Sequence, residues 1–95
     1  MATPSPGYSI TVRVEAPTDA AATARLSSVV AEAGGAITAL DVAESHPDML
    51  VVDVSCNASD VEHSESITKA IAALPGFQVR KVSDRTFLLH LGGKI

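Results

Sequence analysis

Residues Tyr8, Ser9, Ile10, Thr11, Val12, Arg13, Val14 and Glu15 alternate apolar and polar without a break. A period of two belongs to a β-strand with one buried face, here Tyr8, Ile10, Val12 and Val14. Such a strand needs cover on one side only, and the remainder of the chain has to supply it. With 95 residues in all, that cover comes from a single small domain. Aliphatic side chains must fill its core, because aromatics are 3% of the chain and tryptophan is absent.

The rest of the sequence punctuates itself. Pro17 ends the first strand, and Thr18 or Asp19 is expected to cap a helix in which Ala22, Leu26, Val29, Val30 and Ala33 share a face. Gly34 and Gly35 stop that helix, since glycine reaches the left-handed conformation favoured just past a helix end. A second strand is expected over about 36–44 with Leu40 and Val42 inward, then a turn at His46, Pro47 and Asp48. A third, over about 49–57, places Leu50, Val52, Val54 and Cys56 on one face. Ser59 and Glu62 have capping-box spacing before a second helix with Val61, Ser64, Ile67, Ile71 and Leu74 at helical intervals. Pro75 and Gly76 close it, and a fourth strand comes next over about 77–82. The order βαββαβ predicts an α+β fold of the ferredoxin-like plan, a four-stranded antiparallel sheet with two helices on one face.

Composition narrows the function classes. Net charge is −4, and the seven Lys and Arg residues are scattered, the nearest to a cluster being Arg80, Lys81 and Arg85. Nucleic-acid binding needs a concentrated basic surface, so no nucleic-acid partner is expected. A lone cysteine, Cys56, precludes an internal disulfide and fits a reducing compartment. Residues 1–7 lack the basic and apolar regions of a signal peptide, and no apolar run approaches the ~20 residues of a membrane span. The expected location is cytoplasmic, with no membrane partner.

No catalytic constellation emerges. His46, His63 and His90 fall in a turn, a helix start and the tail, so solvated or capping roles are expected and no metal site. Cys56 ends an apolar stripe and reads as a small buried hydrophobe. Asp60, Glu62 and Glu65 occupy a first helical turn, where the helix dipole favours negative charge. Gly92, Gly93 and Lys94 lack the other residues of a phosphate loop and read as a joint. If Leu40 and Val52 point inward, the opposite sheet face carries Asp41 and Asp53 beside Ala39, Ala43, Met49 and Val51. That is apolar enough to suggest partial cover by a partner.

With the order βαββαβ and Gly34-Gly35 at the turn into the second strand, residues 8–83 resemble an ACT domain. The resemblance implies a regulatory module that pairs edge to edge, here as a homodimer through a strand edge, and that takes an amino acid or similar small effector. The effector residues so implied are Pro17, Thr18, Asp19, Gly34 and Gly35. The turn Glu15-Ala16-Pro17-Thr18-Asp19 keeps the proline of the family's Asp-x-Pro-Gly pattern, with Thr18 in place of the glycine. Asp19 there favours a ligand bearing an amine over a bare carboxylate.

The tail carries a second likeness. Val82-Ser83-Asp84-Arg85-Thr86-Phe87 followed by His90-Leu91-Gly92-Gly93-Lys94-Ile95 resembles the segment joining an N-terminal ACT domain to the catalytic part of bacterial NAD-dependent malic enzymes. This implies a disordered start at 1–7, the regulatory domain at 8–83 and a linker at 84–95. It also implies that NAD and a divalent metal belong to a catalytic part beyond Ile95, so no cofactor is expected within this chain. The alternative is a free-standing ferredoxin-like module for metabolite sensing or assembly.

Overall fold

A computed structural model of the chain describes residues 5–84, with side chains described from 8 to 83. The expectations for residues 1–4 and for a linker over 85–95 lie outside the described residues.

The elements run β1 (Ser5–Pro17), α1 (Ala22–Glu32), β2 (Ala36–Ser45), β3 (Met49–Ala58), α2 (Val61–Ala72) and β4 (Gln78–Asp84). They form one four-stranded sheet in the order β2-β3-β1-β4, and every neighbouring pair is antiparallel. This is the ferredoxin-like α+β arrangement that the sequence pattern predicts. The period-two alternation of β1 sets it up. Val12 lies opposite Val54 and Val14 opposite Val52, so the inward rows of β1 and β3 form one apolar surface. Ile10, Val12, Val14, Val52, Val54 and Cys56 from the sheet pack with Leu26 and Val30 of α1 and Ile67 and Ile71 of α2, all essentially solvent-free. Both helices thus cover the same face. β1 starts at Ser5, three residues before the alternation becomes regular, with a register irregularity against β3 between Ser5 and Ser9.

Three sequence expectations are corrected. Val42 does face the helix side opposite Val52, but it is 50% exposed, because β2 is an edge strand lying at the margin of the helical layer. α2 is capped by Asp60, whose carboxylate accepts the His63 N–H at 2.8 Å. Ser59 does not cap because its own N–H and hydroxyl are turned to the His63 ring. At α1 neither Thr18 nor Asp19 sits at the N-cap, which is Ala21 with no side-chain cap.

Bulges shape both edges. The β2–β3 register skips Thr38 and Ala43, and the β1–β4 register skips Arg80. A bulge sets two residues against one and re-aims the side chains beyond it. Glu44 therefore stands opposite Val51, where simple alternation would place Ala43 on the outer face.

Candidate functional site

The five residues implied as an effector site fall into two groups at opposite ends of α1. An 11-residue helix rises about 1.5 Å per residue, so roughly 16 Å separate them. Pro17, Thr18 and Asp19 lie beside the β2–β3 turn and Gly76. The Thr18 hydroxyl donates to the His46 carbonyl at 3.0 Å, and the Pro17 ring borders Gly76. Asp19 accepts the Ala21 N–H at 2.7 Å and pairs with Arg25 at 3.1 Å. These contacts, the backbone hydrogen bond first, hold the Asp19 carboxyl below its ordinary range. The chain's own carboxylate thus occupies the start of α1, where free N–H groups would otherwise attract a ligand anion.

Gly34 and Gly35 serve the other end. Gly34 has φ +88°, the left-handed conformation that closes α1. A Cβ on Gly35 would stand 3.0 Å from both Val30 Cγ1 and Ile67 Cδ1, so its side-chain position is already filled by core. Beside them, the His63 ring ties the two helices. Its Nδ1 accepts the Ser59 N–H at 2.9 Å, and since an N–H can only donate, Nδ1 carries no proton in this state. Nε2–H therefore donates to the Ala33 carbonyl at 2.8 Å. His63 performs the capping role expected of it, and it also spans from the start of α2 to the end of α1.

The helix-free sheet face carries Asp41 and Asp53, as the alternation predicts. Arg13 from β1 grips Asp53 bidentately, Nε to Oδ1 at 2.8 Å and Nη2 to Oδ2 at 2.9 Å. Asp41 lies directly across from Asp53 on β2. The guanidinium hydrogen bonds from Arg13 outweigh the effect of burial, and the Asp53 carboxyl is held below its usual value. Arg80 pairs with Glu15 at 3.1 Å, and His46 with Glu44 at 3.0 Å. Val51 lies on this face, flanked by Glu15 and Glu44, and is fully buried. Thr11, Arg13, Asp53, Lys81 and Ser83 line a cleft of about 130 Å³ across β3, β1 and β4.

Arg13, Lys81 and Ser83 were not singled out from sequence as a group. The available signal was the run of polar residues at the odd positions of β1, matched to β4 only through the bulge at Arg80. Cys56 is buried at the core, and burial pushes its thiol up to about 11, which keeps it protonated and a poor nucleophile. Among the described residues no group of three or more His, Cys, Asp or Glu side chains could hold a metal ion. None of the described helices is long and apolar enough to cross a membrane.

Fold and site together define a small two-layer α+β domain of ferredoxin-like topology with an ion-paired open sheet face. No family model matches the chain. Its sequence is similar to part of the NAD-dependent malic enzyme of Geobacillus stearothermophilus, 35% identical over 86 residues, or 90% of this chain. The chain spans only 18% of the length of that curated relative.

Proposed function

We propose that this chain is a regulatory domain of the ACT type belonging to an NAD-dependent malic enzyme, and that it does no chemistry by itself. The observation that carries this reading is the 35% identity extending over 90% of the chain while confined to 18% of the relative. A stretch so short, conforming to a two-layer βαββαβ plan with a continuous core, suits a module appended to a larger catalytic body. The start of α1 offers NAD no open site. The cofactor's pyrophosphate would need a glycine-rich turn opening onto free N–H groups at a helix start, and the β1–α1 turn presents the Asp19 carboxylate there. NAD and a divalent metal are accordingly assigned to the remainder of the enzyme, in the cytoplasm.

Pairing is part of the same reading. β2 is a ten-residue edge strand whose helix-side residues Ile37 and Val42 are 36% and 50% exposed. Backbone left unpaired among the described residues, beside exposed apolar side chains, favours a second copy at this edge. Because Pro17–Asp19 and Gly34-Gly35 lie at opposite ends of α1, an amino-acid-like effector touching both groups would have to sit between two chains.

The test compares the intact malic enzyme with a form lacking residues 1–95. Malate-dependent NADH formation should persist, while its response to added amino acids disappears. An unchanged response would overturn the regulatory role, and complete loss of turnover in a folded truncated enzyme would make this segment part of the catalytic body.

A further inference from the structure

The cleft on the open sheet face has a chemical bias that the core does not require. Arg13 offers five N–H donors, of which the Asp53 pair uses two, leaving three directed elsewhere. Among the described residues, Lys81 and Ser83 have no side-chain hydrogen bond, and Lys81 acts on Asp53 only through its charge. Thr11 and Ser55 share one hydrogen bond at 2.9 Å, which leaves one of the two hydroxyl protons to donate elsewhere. Hydrogen-bond donors therefore converge from two adjacent strands, β1 and β4, onto a cleft of about 130 Å³. Arg13 stands opposite Lys81 and Thr11 opposite Ser83, so the donors pair across the two strands.

We propose that this cleft binds a small organic acid through its carboxylate, with Arg13 and Lys81 as the cationic contacts and Ser83 as the hydroxyl contact. Among the lining residues two cations face the single carboxylate of Asp53, while Asp41 lies across from Asp53 and the charge of Glu44 reaches Arg13. With those two acids nearby, a singly charged carboxylate meets less repulsion than a phosphate dianion. The bidentate Asp53 contact fixes the Arg13 guanidinium beforehand, so little side-chain freedom is lost on binding. A volume of about 130 Å³ admits an acid of a few heavy atoms. The site lies on the sheet face, away from both residue groups of the proposed effector site, and stands independently of the malic enzyme reading.

The test is a titration of the isotope-labelled 95-residue chain with sodium glycolate at constant ionic strength, followed by amide and Arg side-chain NMR shifts. Saturable shifts should centre on Thr11, Arg13, Lys81 and Ser83, with a dissociation constant on the order of millimolar for so open a site. Lys81→Met should weaken binding about tenfold, the loss of one hydrogen bond to a charged group, while Lys81→Arg keeps it. Ser83→Ala, in the cleft lining opposite Thr11, provides a second reading with a smaller loss. Shifts that stay linear in glycolate, or are unchanged by Lys81→Met, overturn the site. Saturation by phosphate in preference to glycolate overturns the carboxylate assignment.

Discussion

Replacing His63 measures how much the fold depends on one ring joining two helices. In His63→Ala the Ser59 N–H loses its acceptor at 2.9 Å and the Ala33 carbonyl its donor at 2.8 Å. Each such bond contributes about 0.5–1.5 kcal/mol net, so the pair accounts for about 1–3 kcal/mol. Alanine is the better helix former, by about 0.5 kcal/mol, which brings the expected loss to about 0.5–2.5 kcal/mol. For a domain of this size each kcal/mol moves the melting temperature by about 4–8 °C, so a fall of about 2–20 °C is expected. His63→Phe should be worse than alanine, because its ring keeps water from the two orphaned backbone groups that a truncated side chain would let solvent reach. Thermal unfolding of the three proteins reads the order directly, and ¹⁵N NMR of the imidazole should show the proton on Nε2. A phenylalanine variant as stable as the parent would mean the ring acts by packing alone. A ring protonated at Nδ1 would refute the hydrogen-bond assignment.

Gly35→Ala gains about 0.4–1 kcal/mol from the unfolded chain but drives a methyl to 3.0 Å from Val30 and Ile67, well inside the ~3.5–4.0 Å optimum. With overpacking at about 1–3 kcal/mol, a net loss of about 1–2 kcal/mol is expected in urea unfolding, and any gain would show that the two side chains give way freely. The Asp53 carboxyl is depressed in the folded state, so its stabilising contribution is complete above the unfolded value of about 3.9 and is lost as pH falls through the lower folded value. Urea midpoints measured down the acid range should therefore fall less steeply for Asp53→Asn than for the parent. A residual slope from Asp19 and Glu44, also depressed, should remain, and identical slopes in the two proteins would deny the Arg13 contact its role.

The sequence patterns that proved legible are those set by neighbours along the chain. Alternation in β1 and helical spacing in α1 and α2 report which side of an element is dry, and Ile10, Val12, Leu26, Ile67 and Ile71 are where those periods put them. What eluded the patterns depends on position across the sheet. Nothing local tells Val42 that its strand is an edge, and its exposure results from that alone. Arg13 and Asp53 are 40 residues apart and meet only once the β1–β3 register is fixed. The skipped residues Ala43 and Arg80 shift what faces outward by one position, which no strict period of two contains. Capping at Asp60 instead of Ser59 has the same origin, since the choice turns on where the His63 ring reaches for Ala33.

The described chain enters on β1 and leaves on β4, two antiparallel neighbours with Ile10 facing Asp84. Both ends therefore emerge on the same side of the sheet, and tension applied between them acts across the strand pair instead of along it. Hydrogen bonds in that geometry open one after another, as in a zipper, so the first response to a pull is peeling of β4 from its Asp84 end. Among the described residues the seven-residue β4 has no neighbour on its far side to resist. Ser83 and Lys81 are among the first residues to part from Thr11 and Arg13 as the strands separate. A molecule bridging those two strands on the open face would act as a clasp on the seam that mechanical load opens first.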